Sequence, residues 1–228
     1  MKFKQLFITG TDTEIGKTLI TCILANKYKE KFEVQIYKPV VAGLNKDNKN
    51  EDLESYKKII KNVSDNQLSD YILPHYCSPN ISAKLTKKKI HFQKILTKIN
   101  TFKENSKYLI MEGAGGIYCP INDTYTFIDL IDAIKIPVVV VCGIKLGAIN
   151  HSILTLNILK NKKINVVGWV ANCVEKNKQY IIDENIKYIV KHTSIDHLGT
   201  IPYINKLKNK TIYSLTDIKF CEKFIKLP

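Results

Sequence analysis

Arginine is absent from this 228-residue chain, so all 35 of its basic residues are lysines. Against 21 acids that leaves a formal charge of +14, which taken alone suggests a nucleic-acid partner. Nucleic-acid readers lean on arginine, whose planar fork grips bases and phosphates two bonds at a time. The lysines here are also scattered, as in Lys57-Lys58, Lys87-Lys88-Lys89 and Lys160-Asn161-Lys162-Lys163, along stretches expected to form helix faces and loops. A solvated surface is the simpler reading, and no nucleic-acid partner is expected. Long apolar runs are lacking too. The most apolar stretch, residues 136–142, falls far short of the ~20 residues that cross a bilayer. Met1-Lys2-Phe3-Lys4 leads directly into a strand-like run, without the apolar core and cleavage site of a signal peptide. No membrane partner is expected, which leaves the cytoplasm as the default compartment. The six cysteines (Cys22, Cys77, Cys119, Cys142, Cys173, Cys221) include no C-x-x-C pair, which argues against zinc and thioredoxin-like sites. They read as reduced and mostly structural.

What is present is an alternation. Short β-branched runs at residues 6–9, 34–37, 108–111, 138–142, 166–171 and 198–201 read as strands. Amphipathic stretches at residues 17–28, 51–61, 92–102, 149–159 and 180–192 read as helices between them. This is the pattern of βαβ units. Several strands are continuously apolar, as expected when helices cover both faces of a parallel sheet. Residues 65–89, with Pro74 and Pro79, are the least regular part and are expected to cross a sheet edge. No internal repeat and no Gly/Ser-rich linker interrupts the chain, so a single domain over residues 1–228 is expected.

The strongest local signal is Gly10-Thr11-Asp12-Thr13-Glu14-Ile15-Gly16-Lys17-Thr18, where a strand passes through a small-residue loop into a helix. That context makes it a P-loop, although it is one residue longer than the usual motif and Thr11 replaces the usual first glycine. The expected fold is therefore α/β, of P-loop NTPase type, with a mostly parallel sheet and helices on both faces. Loop amides and the helix N-terminus can ring a phosphate, Lys17 can neutralise the β- and γ-phosphates of ATP, and the Thr18 hydroxyl can ligate Mg2+. The second signal, Tyr108-Leu109-Ile110-Met111-Glu112 followed by Gly113-Ala114-Gly115-Gly116, is a hydrophobic strand ending in a carboxylate that can hold the metal. Tyr37-Lys38-Pro39-Val40-Val41-Ala42-Gly43 places Lys38 at a strand's carboxyl end, where ligands bind in open parallel sheets. Alone, Lys38 and Asp52 are weak candidates, since surface lysines are common here and an acid in a first helical turn favours the helix dipole. Residues 143–151 form a strand–helix connection able to present amides to a carboxylate. Asn172 is read just past a strand end, where it can pair with a purine edge or simply make a turn.

Taken together, residues 10–18, 37–40, 112–116, 145–151 and 168–172 resemble the dethiobiotin synthetase family, in family order and across most of the chain. The resemblance implies Mg2+- and ATP-dependent ring closure of 7,8-diaminononanoate with CO2, through a carbamate and a carbamic–phosphoric anhydride. It implies catalytic roles for Lys17, Lys38 and Thr13, and metal ligation by Thr18, Asp52 and Glu112. Glu14, Ile15, Gly16, Lys17, Thr18 and Leu19 would meet the nucleotide, with Asp52, Glu112, Gly113, Ala114 and Gly115. Asn172 and Cys173 would face adenine, with Ile201, Pro202 and Tyr203 lining the base pocket. Thr13, Lys38 and Ala42 would face the diamine, while Gly147, Ala148 and Asn150 would bind its carboxylate across a homodimer interface. Ala42 replaces the family's usual Ser, and Cys173 stands where Asp is common.

Two other readings share the P-loop. An amidoligase would need a glutaminase domain that this chain has no room for. A partitioning-type ATPase switch would want an extra lysine early in the loop, where Thr11 and Thr13 stand, and an amphipathic C-terminal helix; residues 218–227 are only weakly amphipathic.

Overall fold

The computed structural model describes residues 3–228; Met1 and Lys2, on which part of the leader reading rests, lie outside the described residues. In chain order the elements are β1 (Gln5–Gly10), α1 (Lys17–Lys29), β2 (Val34–Tyr37), β3 (Val40–Ala42), α2 (Glu51–Ile59), α3 (Asp65–Leu68), β4 (Tyr71–Leu73) and α4 (Pro79–Leu85). There follow α5 (Phe92–Asn105), β5 (Tyr108–Glu112), α6 (Phe127–Ile134), β6 (Val138–Ile144), α7 (Ala148–Asn161), β7 (Val166–Cys173), α8 (Gln179–Thr193), β8 (His197–Ile201) and α9 (Leu215–Glu222).

Six strands form a sheet in the order β2-β5-β1-β6-β7-β8, and every pairing in it is parallel. Strand periodicity explains how one sheet serves two cores. Phe7, Leu109, Met111, Val138, Val140 and Cys142 face a core closed by α5, α6, α7 and α8. Their alternates Leu6, Ile8, Tyr108, Ile110, Val139 and Val141 face the other, closed by α1, α2 and α9. All seven residues of β6 are buried, so it reads as a continuous apolar run. The expected α/β architecture, with helices on both faces, is what the chain adopts.

Each of the six expected strands is present, and all but β2 reach one or two residues further than expected. The strands β6 and β7 run on to Ile144 and Cys173, so Asn172 lies inside β7, paired with Gly143 and Ile201, rather than past its end. The expected helix over residues 51–61 stops at Ile59, where Ile60 turns to extended backbone. Residues 65–89 lie beyond the β2 edge as expected but are more regular than the sequence suggests. They hold α3, β4 and α4, and β4 pairs with β3 in a small second sheet. The Lys38 amide donates to the Leu68 carbonyl at 2.8 Å, tying this unit to the end of β2. The six cysteines are all free thiols. Among the described residues, no helix is long and apolar enough to cross a membrane.

Candidate active site

The strand order reverses beside β1, and there the carboxyl ends of β1, β2 and β5 deliver the P-loop, Lys38 and Glu112 to one place. The loop itself is anchored by Ile15, whose buried side chain points down into the sheet. A methyl group added at Gly10 or Gly143 would come within 2.5 Å of that side chain, so both strands need glycine where Ile15 enters. Gly16 then turns left-handed (φ 89°) and starts α1 without a side-chain cap, leaving the first N–H groups of the helix for a ligand. The Asn172 amide donates to the Ile15 carbonyl at 2.8 Å and so holds the loop against β7. Asp12 ties it on the other side, accepting from Lys145 at 2.8 Å.

Behind the loop is a closed set of charged and hydroxyl groups. Lys38 reaches Asp52 Oδ2 at 2.5 Å and Glu112 Oε1 at 2.7 Å. The Thr18 hydroxyl lies 2.6 Å from Asp52 Oδ1 and 3.0 Å from Glu112 Oε1. On the far oxygen of Glu112, Thr21 donates at 2.7 Å and Tyr56 at 2.5 Å. Glu112 is fully buried, Lys17, Thr18 and Lys38 nearly so, while the Asp52 side chain keeps 30 % of its surface at the mouth. Asp52 is placed by its helix: Asn50 caps α2 by accepting from the Asp52 and Leu53 amides and donates in turn to the Gly43 carbonyl.

Burial disfavours the charged form of Lys38, but Asp52 and Glu112 outweigh it and hold its ammonium above the usual lysine range. Burial likewise opposes the charge on Asp52, and Lys38 and Thr18 bring its carboxyl below the usual value. Among the described residues no salt bridge holds Lys17, although the charges of Glu112 and Asp52 reach it. Its amine donates to the Asp12 carbonyl at 2.5 Å, and burial together with the nearby Lys38 lowers it to about 8. Burial, then the charge of Glu112, pushes the Tyr56 phenol well up, so it stands as a donor.

Thr18, Asp52 and Glu112 thus converge as hard oxygen donors, a set that fits a small divalent cation. Among the described residues no group of three or more His, Cys, Asp or Glu gathers as a metal centre. A cation here would rest on two carboxylates, the Thr18 hydroxyl and oxygens of its own ligand.

Other candidates fall around this centre. Gly113 donates its amide to Ile8 at 2.9 Å, which keeps the Gly113–Ala114–Gly115 turn beside the P-loop, where Gly115 approaches the exposed Thr13. Glu14 is exposed with φ 53°, while the Leu19 side chain turns into the core, so only its backbone faces the loop. Ala42 ends β3, half-buried against the core. Cys173 and Ile201 are buried at the ends of β7 and β8, with Pro202 and Tyr203 half-exposed beyond them, and burial raises the Cys173 thiol to about 11. Gly147, Ala148 and Asn150 open α7, away from the charged cluster, beside Leu146, which is 95 % exposed. Among the described residues no hydrogen bond joins Ala42, Gly147, Ala148, Asn150 or Tyr203 to Lys38, Asp52 or Glu112. Sequence reasoning missed Thr21, Tyr56 and the Asp12–Lys145 tether. A helical signal for two of these exists: Thr21 stands three residues after Thr18, and Tyr56 four after Asp52, each on the same helix face.

A family model described as an AAA domain matches residues 4–211. The ATP-dependent dethiobiotin synthetase of Fusobacterium nucleatum is 36% identical over 199 residues, covering 86% of this chain and 90% of that protein. That of Clostridium acetobutylicum is 34% identical over 222 residues, covering 93% and 91%. Among solved structures, a ParA family ATPase from Chlorobium tepidum shares the fold with a TM-score of 0.60 at 12% identity, covering 98% of this chain and 96% of that one. The MinD cell division protein of Aquifex aeolicus does so with a TM-score of 0.56 at 14% identity, covering 96% and 91%.

Proposed function

This chain belongs to the dethiobiotin synthetase family, and on that premise we propose that it acts as a single-domain enzyme closing a cyclic urea from 7,8-diaminononanoate, CO2 and ATP. The observation that carries the reading is the Lys38–Asp52–Glu112–Thr18 cluster behind a P-loop whose own lysine, among the described residues, forms no salt bridge. Such a site is built to receive negative charge, and every step of the proposed reaction places negative charge there.

One amine of the diamine adds to CO2 and loses a proton, giving a carbamate. A carbamate oxygen attacks the γ-phosphorus, the bond to the β-bridging oxygen breaks, and ADP leaves. The second amine then attacks the carbamoyl carbon, the bond to the phosphate oxygen breaks, a second proton is lost, and the ring closes. Lys17 and Lys38 stabilise the charge that spreads over the transferring phosphoryl group, as cations already in position. The amides at the start of α1 hold the same oxygens. Thr18, Asp52 and Glu112 would hold Mg2+, which supplies neutralising charge to the phosphates when bound. Asp52 and Glu112 also keep the Lys38 ammonium charged and fixed. Thr13, on the exposed crest of the loop, and Ala42 would flank the diamine, the alanine without a hydroxyl to offer. Asn172, Cys173, Ile201, Pro202 and Tyr203 would form the adenine pocket.

We also propose a homodimer, with Gly147, Ala148 and Asn150 taking the substrate carboxylate across the interface. Leu146 beside them is 95 % exposed and would be covered in such a dimer. The likeness to ParA and MinD proteins is one of fold, and it does not favour a switch. The α9 helix buries Ile218 and Cys221 against the core beside α1, and its exposed Phe220 lies under the Lys206 and Lys223 ammonium groups, 4.6 and 4.4 Å from the ring.

The test is phosphate release from MgATP and bicarbonate with and without the diamine, following product mass. Release that depends on the diamine, with a product of dethiobiotin mass, is expected; release indifferent to the diamine overturns the assignment.

A further inference from the structure

Glu112 has its two oxygens divided between two tasks. Oε1 faces the loop, toward Thr18 and Lys38, while Oε2 accepts from Thr21 and Tyr56 on the core side. Each carboxylate oxygen offers about two lone-pair positions. Thr21 and Tyr56, fixed on the core side, take both on Oε2. On Oε1, by contrast, the Thr18 hydroxyl, itself a proposed ligand, would turn to the cation. Tyr56 is wholly buried, as is Glu112, so no water competes for the bond. Tyr56 also stands one helical turn after Asp52 on α2, so a single capped helix carries one acidic group of the site and the clamp on the other.

We propose that Tyr56, with Thr21, is a positioning residue that makes Glu112 a one-oxygen ligand. With Oε2 saturated, the carboxylate can turn only Oε1 to a cation. That suits Mg2+, which takes six oxygens at short, near-octahedral distances. It disfavours Ca2+, which readily takes both oxygens of a carboxylate and tolerates irregular shells. The clamp therefore selects the smaller ion, and it does so without touching it. The proposal rests on the magnesium reading above.

The test uses the intact protein and isothermal titration with MgATP, with CaATP, and with ATP in EDTA. Wild type is expected to bind MgATP more tightly than CaATP. Tyr56→Phe keeps the ring and removes the donor; it is expected to weaken MgATP about tenfold while CaATP changes less, so the ratio between the two falls. Thr21→Val removes the other donor to the same oxygen and is expected to give the same signature, which covers a failure of Tyr56→Phe to fold. On a Glu112→Gln background Tyr56→Phe is expected to add nothing. Equal losses with both metals, or an undiminished loss on the Glu112→Gln background, would mean that Tyr56 only supports the fold and overturns the assignment. A wild type that binds ATP as tightly in EDTA as with Mg2+ overturns the magnesium reading and the clamp with it. A magnesium requirement that both variants leave unchanged overturns the clamp alone.

Discussion

The two ends of the proposed nucleotide site are built by different means. At the tips of β1, β2 and β5, Lys38, Asp52, Glu112, Thr18, Thr21 and Tyr56 exchange six hydrogen bonds. At the tips of β7 and β8, the polar side chain in hand is Asn172, and its amide is engaged with the P-loop. The rest of that end is Cys173, Ile201, Pro202 and Tyr203. Breaking the Lys38 pairs would leave a buried ion unpartnered at a cost of several kcal/mol, so the first end dictates residue identity. A flat, uncharged ring asks only for shape and backbone, so the second end leaves identity open. The first end should therefore carry rate and the second should carry affinity.

The largest effect should come from the charged end. Lys38→Ala is expected to lower kcat by about 10²–10³-fold, measured by steady-state turnover, with the fold checked by circular dichroism. A loss confined to KM would erase the contrast between the two ends. Next is the anchor that joins them. Gly143→Ala drives a methyl group against Ile15, and is expected to cost about 1–3 kcal/mol in denaturant unfolding. Adding Ile15→Ala should give a double variant less destabilised than the sum of the two single losses, because the side chains share one space.

Lys17 supplies a test in pH. Burial and Lys38 hold its folded value at about 8, below the ordinary 10.5. Between those two values the unfolded chain carries the extra proton, so the stability of the nucleotide-free protein is expected to rise with pH across that window. Phosphates arriving beside Lys17 should draw its proton back. ATP binding at pH 9 is then expected to take up about one proton, read by calorimetry in buffers of different ionisation enthalpy. The smallest change is expected at the base end. Tyr203→Ala should raise KM for ATP about fivefold and leave kcat in place.

The same contrast explains what the sequence disclosed. The P-loop is legible because a strand, a small-residue loop and Gly-Lys-Thr coincide, whereas Glu112 and Lys38, each weak alone, gain weight only beside it. The helix α6 escaped notice at eight residues, although Thr126 and Asp129 bond reciprocally across its first turn as a capping box. The strands β3 and β4 are three residues each, and Pro39 breaks the pattern before the first. Asn172 was placed outside a strand that in fact includes it, since Asn is a poor strand former and pairing with β6 and β8 overrides that preference. The roles of Tyr56 and Thr21 depend on Glu112 arriving from 56 and 91 residues away, which no local pattern announces.

The central claim is that this P-loop directs the γ-phosphoryl group to a carbamate oxygen rather than to water. The most direct test supplies bicarbonate labelled with 18O to the enzyme with MgATP and the diamine, before the label exchanges with water, and weighs both products. The account predicts one labelled oxygen in the released phosphate and one in the carbonyl of the new ring. Unlabelled phosphate formed in step with the ring would contradict it, because the phosphoryl group would then have gone to water.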